Sequence, residues 1–399
     1  MLVSIKTNAW YGDTTVQLEI PETWKFAVAE PRECPALAWA DLEASITNPI
    51  GSASLSYLAA GKRNAILLIE DLTRPLRLDA VAELLLDSLN AAGIADGAIR
   101  IIVANATHRP MTRHELLLKL GANVCRRVQI LPHNCYEHLT PIGRTEHGTE
   151  LCVNTFVAEA DLIIGLGGVY PHGMAGFSGG GKIILPGVSG IESIAQNHTQ
   201  EAGGYLNVEA NPLRDDMEEA ARLAGLGFLV NGVVNSHREI CGLFAGDPIA
   251  AHRRACRFAR EAYATKVSTS PDILILNAYP MDTELFQAAK ALSVAERITS
   301  AHTLVLLAEC AEGFGYHALC GPGGRMQEKE KSDLRKVLEG KRTVICSRNI
   351  QPHDLAEKFP ETTVVFSSWP ETVDFLNREL QLAHCDVLLF PAATIQIPA

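Results

Sequence analysis

The stretch AILLIEDLTRPLRLDAVAELLLDSLNAAG, residues 65–93, decides the fold. It opens on a short apolar run ending in Glu70, bounded by a turn, which reads as a strand buried on both faces. The loop 71–75 ends in a proline, and from about 79 to 92 apolar residues recur at helical spacing until Gly93 stops them. Strand, loop and helix in that order is the grammar of a parallel sheet with covering helices. It recurs at 101–104, followed by the loop NATHRP and a helix opened by Thr112 with Glu115 three residues on, a capping box. It recurs again at DLIIGL, 161–166, where a long glycine-rich loop leads to a helix predicted to begin near Ser189, again with Glu192 three residues later. In the second half, strands are expected near 272–278, 303–308, 342–346, 362–367 and 386–390, with helical stretches between them. The fold class is therefore α/β in two domains, each with a largely parallel sheet flanked by helices, the C-terminal one doubly wound. The small polar run ATKVSTSP suggests a boundary near 265–271. That gives an N-terminal cofactor-binding catalytic domain, 1–268, and a C-terminal α/β domain, 269–399, whose last strand, VLLFP, either stays there or returns to the first domain.

Composition narrows the function. The 399 residues are 47% hydrophobic and 20% charged, which suits a globular chain with ample core. Lysine and arginine number 35 against 46 acids, and a net charge of −11 argues against a general nucleic-acid binder. The first 21 residues alternate polar and apolar positions and read as a strand pair rather than a signal peptide. No apolar run approaches the roughly 18–20 residues of a membrane span. The ten cysteines are scattered singletons, so reduced thiols in a cytoplasm are the expectation.

In open parallel sheets ligands bind beyond the carboxyl ends of the strands, where loops and helix N-termini converge. Asp71, Thr73 and Arg74 follow the first strand, Thr107, His108 and Arg109 the second, His172 the third, and Tyr279 with Asp282 the first strand of the second half. Singly, each has a bland reading as a cap, a solvated charge or a packed loop residue. Their shared position at strand ends favours a site.

The segment GLGGVYPHGMAGFSGGGKIILPGVSGIESIAQNH, 165–198, carries the most chemistry. Gly176, Ser178, Gly179, Gly180 and Gly181 are expected to form a run of exposed amides beside Lys182, a nest for phosphate or another anion. It is not a P-loop, because Ile183 stands where a Ser or Thr would bind magnesium, and Tyr170 breaks the G-x-G-x-x-G of a nicotinamide site. Burial would turn Lys182 into a nucleophile, and His172 and His198, which flank it, suit acid/base work or metal ligation. Further on, Gln287 and Lys290 share a face of a helix starting near Asp282 and together can hold a carboxylate.

DLTRP (71–75), ATHR (106–109), HGMAGFSGGGK (172–182), ILPGVSG, His198 and the Gln287/Lys290 pair, with WYG and NPLRD (211–215), together resemble the nickel-dependent lactate racemase family. The resemblance implies a racemase or epimerase that inverts C2 of a small 2-hydroxy acid by reversible hydride transfer to a nickel pincer nucleotide, a pyridinium-3-thioamide-5-thiocarboxylic acid mononucleotide carrying nickel. It implies that Lys182 is joined to that cofactor, that His198 completes the nickel coordination, and that His108 and His172 are paired acid/base residues facing each other across the reacting carbon. Asp71, Thr73 and Arg74, with the 178–180 turn of Ser178, Gly179 and Gly180, are then expected to bind the cofactor, and Arg74, Gln287 and Lys290 the substrate. Proteins that build the cofactor would be transient partners. The rival reading is a relative of the same fold that binds an anion or cofactor without catalysis.

Overall fold

The computed structural model describes residues 1–267, 269–380 and 385–399. The chain divides into two compact units, one of residues 34–262 and one of residues 1–33 with 263–399. The break expected near 265–271 thus falls between 262 and 263, and a second break sends the first 33 residues to the C-terminal unit rather than to a domain 1–268. Ser268, the last residue of that expected domain, lies outside the described residues.

The unit of residues 34–262 is built on a six-stranded sheet. Its spatial order is Ile240–Gly246, Leu226–Val234, Ile163–Gly168, Ala65–Ile69, Ile99–Val103 and Gln129–Pro132. All neighbours are parallel except the edge strand Ile240–Gly246. Every residue of Ala65–Ile69 is buried, as the unbroken apolar run requires of a strand covered on both faces. Chain order runs outward from this strand to Ile99–Val103 and Gln129–Pro132, then returns to its other side at Ile163–Gly168. The crevice beyond the ends of Ala65–Ile69 and Ile163–Gly168 is therefore the topological switch point of the sheet.

Two helix starts test the capping rule. Arg113–Arg127 opens with the expected box: the Glu115 amide donates to the Thr112 hydroxyl at 3.3 Å and the Thr112 amide to the Glu115 carboxylate at 2.6 Å. Ile191–His198 does not, because its N-cap is Gly190 and the Ser189 hydroxyl donates instead to the Ile184 carbonyl at 2.8 Å. The expected start near Ser189 is thus shifted by one residue, to a cap at Gly190.

The other unit carries a second six-stranded sheet, all parallel, ordered Val364–Phe366, Arg342–Cys346, Thr303–Leu307, Ile273–Asn277, Asp386–Phe390 and Lys25–Val28. Alternate residues feed two cores: Leu274, Leu276, Leu304 and Leu306 on one face, and Ile273, Ile275, Val305 and Val344 on the other. The strand Asp386–Phe390 stays in this sheet, between Ile273–Asn277 and Lys25–Val28, and does not return to the other unit. Lys25–Val28 explains the discontinuous unit, since the N-terminal segment supplies the edge strand of a sheet made by the C-terminal half. The expected N-terminal strand pair is present as Leu2–Thr7 antiparallel to Thr14–Glu19.

Candidate functional site

Three adjacent strands of the 34–262 sheet deliver the candidate residues to one edge. Asp71, Thr73 and Arg74 follow Ala65–Ile69, His108 follows Ile99–Val103, and His172 follows Ile163–Gly168. The closest assembly is a carboxylate–imidazole pair: His108 Nδ1 lies 2.7 Å from Asp71 Oδ2. With that N–H donating to the carboxylate, the ring's lone pair resides on Nε2. The other carboxylate oxygen, Oδ1, accepts from the Thr73 amide at 3.0 Å and the Thr73 hydroxyl at 2.5 Å. Arg74 Nη1 in turn donates to the Thr73 carbonyl and hydroxyl at 3.1 and 2.9 Å. Burial pushes the Asp71 carboxyl up, but His108, Arg74 and the Thr73 hydroxyl outweigh it and hold the group well below the usual carboxylate range. Asp71 is therefore a fixed anion backing His108.

The loop that carries Asp71 is anchored from beneath by groups the sequence did not single out. Lys119, fully buried, reaches Glu70 Oε1 at 3.1 Å and the Arg74 carbonyl at 2.9 Å. Glu70 Oε2 accepts from the Gly168 amide at 2.6 Å, and the Tyr170 hydroxyl accepts from the Leu76 amide at 3.1 Å. The two strand ends at the switch point are thereby tied to each other. Nothing in the pattern of helix 113–127 separates Lys119 from a solvated lysine, which is why it escaped notice.

The glycine-rich loop departs from its expectation. Gly176, Ser178, Gly180 and Gly181 are buried, and their neighbourhood spends its amides inside the protein. The Phe177 amide donates to the Ala175 carbonyl at 2.8 Å, Ser178 to the Tyr170 carbonyl at 2.8 Å, and Gly180 to Asn231 Oδ1 at 3.1 Å. The Ser178 hydroxyl accepts from the Tyr170 amide and donates to the Gly168 carbonyl, each at 2.9 Å. The run of exposed amides is thus not formed. Glycine is required here for close packing: Gly180 has φ +64°, and a Cβ on it would come within 2.8 Å of the His252 ring. At Gly176, with φ +72°, a Cβ would meet the Asn207 carbonyl oxygen at 2.1 Å.

Arg214 and His252 hold that loop from behind. Arg214, fully buried on the helix Pro212–Leu223, donates to the Ala175 carbonyl through Nε (3.3 Å) and Nη2 (3.0 Å), to the Gly179 carbonyl through Nη1 (2.9 Å), and to the Phe177 carbonyl. Burial pulls its guanidinium down to about 10, against the opposing pull of Glu218. His252 Nε2 donates to the Ser178 carbonyl at 2.9 Å, and Cys256 Sγ lies 3.3 Å from the same nitrogen. Burial, with Arg214, Arg253 and Lys182 nearby, keeps His252 neutral. Lys182 retains some accessible surface but is so densely enclosed that burial, then Arg214 and Arg74, hold its ammonium well below the ordinary lysine range. That shift favours the neutral amine, the form that acts as a nucleophile.

The remaining candidates sit as follows. His172 Nδ1 accepts from the Met174 and Ala175 amides at 3.3 and 3.2 Å. His198, the last residue of Ile191–His198, donates from Nδ1 to the Ile194 carbonyl at 2.9 Å, which puts the lone pair on Nε2, the arrangement that orients an imidazole for a metal. Among the described residues no three His, Cys, Asp or Glu side chains converge on a metal position. Gln287 and Lys290 belong to the other unit, on Leu285–Ala288 and the 3₁₀ turn that continues it, where the Lys290 ammonium bonds the Gln287 amide oxygen. The helix starts at Leu285 rather than near Asp282, and Asp282 is structural: its carboxylate accepts from the Thr7 hydroxyl (3.0 Å) and the Asn8 and Ala9 amides (2.5 and 3.2 Å). Tyr279 likewise donates its hydroxyl to Asp13 at 2.8 Å.

A division of labour emerges. Thr73, Arg74, His108, His172, Gly179, Lys182 and His198 keep partial access, while Asp71, Ser178, Arg214 and His252, which hold them, are buried. All ten cysteines are free thiols, and no helix among the described residues is long and apolar enough to cross a membrane.

Comparison with known proteins identifies the family of the chain. Residues 11–204 match the family model described as the lactate racemase N-terminal domain. The chain is 35% identical over 291 residues to the lactate racemase of Lactiplantibacillus plantarum, a match covering 70% of this chain and 68% of that protein. It is 34% identical over 304 residues to the lactate racemase of Thermoanaerobacterium thermosaccharolyticum, covering 74% of this chain and 70% of that one. Among solved structures, the lactate racemase apoprotein of T. thermosaccharolyticum superposes with a TM-score of 0.80 at 23% identity over the whole of both chains. A protein from Thermotoga maritima superposes at 0.69 with 16% identity, covering 92% of this chain.

Proposed function

Because this chain belongs to the lactate racemase family and is an isomerase, we propose that it inverts C2 of a 2-hydroxy acid, lactate or a larger relative, with His108 and His172 as its acid/base pair. The observation that carries the reading is the Asp71–His108 pair, 2.7 Å apart at the switch point of the sheet and braced by Thr73 and Arg74. Such a pair orients the imidazole, leaves its lone pair on Nε2 and stabilises the imidazolium once a proton arrives.

The substrate dictates the rest. An ionised 2-hydroxy acid resists losing its α-hydrogen as a proton, because a second negative charge would form beside the carboxylate. Departure of that hydrogen as hydride avoids the penalty, provided a base removes the hydroxyl proton at the same time. His108 Nε2 suits that task, and His172, on the other side of the reacting carbon, suits delivery of a proton after the planar 2-keto acid has turned over. Arg74 supplies positive charge for the carboxylate.

The residues also fit a nickel pincer nucleotide. Lys182, its ammonium disfavoured by burial, would carry the covalent link, and His198, its lone pair on Nε2, would ligate nickel. Asp71, Thr73, Arg74 and the backbone frame of the 178–180 turn would face the nucleotide. When bound, that group supplies the acceptor that takes a hydride from C2 and returns it.

The test is reconstitution with the cofactor-building proteins, followed by inversion assays on single enantiomers of lactate, malate, 2-hydroxyglutarate, phenyllactate and gluconate. Inversion of one of them, nickel lost in His198→Ala and an added mass on Lys182 are expected. A loaded protein that inverts none of the five sinks this reading.

A further inference from the structure

Arg214 and Asn211 grip the very turn that contacts the His172 ring. Asn211, the N-cap of Pro212–Leu223, donates through Nδ2 to the Met174 carbonyl and the Asn207 carbonyl, each at 2.9 Å. Arg214 donates twice to the Ala175 carbonyl. The carbonyls of Met174 and Ala175 are therefore fixed by one helix N-terminus, while their amides donate to His172 Nδ1. A ring nitrogen that accepts two N–H donors cannot also carry a proton, so the proton of neutral His172 resides on Nε2. His108 is the reverse, with its Nδ1 proton on Asp71 and its lone pair on Nε2.

We propose that Arg214 and Asn211 are positioning residues that lock His172 as the Nε2–H tautomer, so that at rest the two histidines are unequal: His108 offers a lone pair to the substrate and His172 an N–H. The inference rests on the histidine-pair reading given above and deepens it. From the resting state, the hydroxyl proton passes to His108 Nε2, which becomes imidazolium. His172 at that stage only donates a hydrogen bond to a substrate oxygen, since giving up its proton would leave an imidazolate. To deliver its Nε2 proton to the returning alkoxide it gains one at Nδ1 from solvent while the His108 imidazolium returns its own proton to solvent, so that one proton enters and one leaves, and this requires the 174 and 175 amides to let go. The grip of Arg214 on Ala175 sets how readily that happens. The same guanidinium runs on to the Phe177 and Gly179 carbonyls, so the turn beside His172 and the approach to Lys182 move together.

The decisive measurement is made on the full-length apoprotein labelled with ¹⁵N-histidine, with the His172 signals assigned by their absence in His172→Gln. Wild-type protein should show His172 with a protonated Nε2 and a bare, hydrogen-bonded Nδ1. Arg214→Lys keeps a cation but loses the fork that reaches three carbonyls, and should admit the Nδ1–H tautomer or exchange between the two. In reconstituted enzyme the same variant should lose roughly 10- to 100-fold in kcat while KM moves less than about threefold. Asn211→Asp retains the cap oxygen for the Arg214 amide but loses the donor to Met174; it should shift the tautomer in the same direction, and it serves if Arg214→Lys does not fold. An Nδ1–H tautomer in the wild type, or a wild-type His172 spectrum in both variants where folded, overturns the proposal. If instead inversion proceeds without His108 or His172, the functional reading fails while the tautomer result stands on its own.

Discussion

Two aspartates occupy comparable places in the two sheets and have opposite fates. Asp71 lies just beyond Ala65–Ile69 and Asp282 just beyond Ile273–Asn277, each strand being the one from which its sheet winds outward. Both carboxylates are buried. Asp71 faces an imidazole and, through Thr73, a guanidinium, and is held low. Asp282 faces a hydroxyl and two amides, and burial outweighs those bonds and pushes its carboxyl up. The difference shows that position at a strand end does not make a carboxylate functional. What matters is whether its partners move protons or merely close a turn, and Asp282 spends its lone pairs securing residues 7–9.

The contrast can be broken most severely at the rings themselves. His108→Ala and His172→Ala should each reduce inversion on the order of 10⁴-fold, since each removes an acid/base partner; chiral chromatography of product reads this, and normal turnover in either would dissolve the comparison. Asp71→Asn should keep the geometry but cost on the order of 10³-fold in kcat, because an amide neither stabilises an imidazolium nor enforces the tautomer. A third test asks whether any histidine at this sheet edge behaves like His108. His133, after Gln129–Pro132, has no carboxylate; burial lowers it to about 4 despite its bond to the Ser189 carbonyl. The unfolded chain binds that proton near 6.5 and the native one only near 4, so stability is full above the first value and falls as pH drops between them. The loss should reach about 3 kcal/mol, and His133→Asn should flatten the slope of urea-unfolding free energy against pH across that window. Smallest is Asp282→Asn, expected to cost about 1–2 kcal/mol of stability with kcat unchanged, because one of its two acceptor atoms becomes a donor facing donors; a kcat loss as large as that of Asp71→Asn would erase the distinction.

Much of the architecture was legible because parallel strands covered on both faces read as unbroken apolar runs. That is why the five C-terminal strands fall where expected, and why Asp71, His108 and His172 converge on one edge. The strand Lys25–Val28 was not legible: four residues opening on a lysine carry no such run, and only the waiting edge of Asp386–Phe390 makes them a strand. Ser189 misled because the chain caps the helix at Gly190 while the Ser189 hydroxyl donates to the Ile184 carbonyl, and the nest misled because nothing in GFSGGGK announces Tyr170 and Asn231 as the partners of its amides. Arg214 was visible within NPLRD, yet a buried cation bonded only to carbonyls has no signature in spacing.

The order of residues alone determined the layered α/β sheets, the strand ends as the place for chemistry, and the identity of the histidines, lysine and arginine found there, because hydrophobic periodicity and loop position are properties of the chain itself. Only the tertiary structure decided which of those groups are anchored by which others: that Asp71 meets His108, that burial disfavours the charge on Lys182, that the glycine loop turns its amides inward against Asn231 and Tyr170, and that residues 1–33 complete a sheet begun nearly 250 residues later. Those outcomes depend on desolvation and on competition among donors for the same acceptor, and both are set by neighbours far away along the chain.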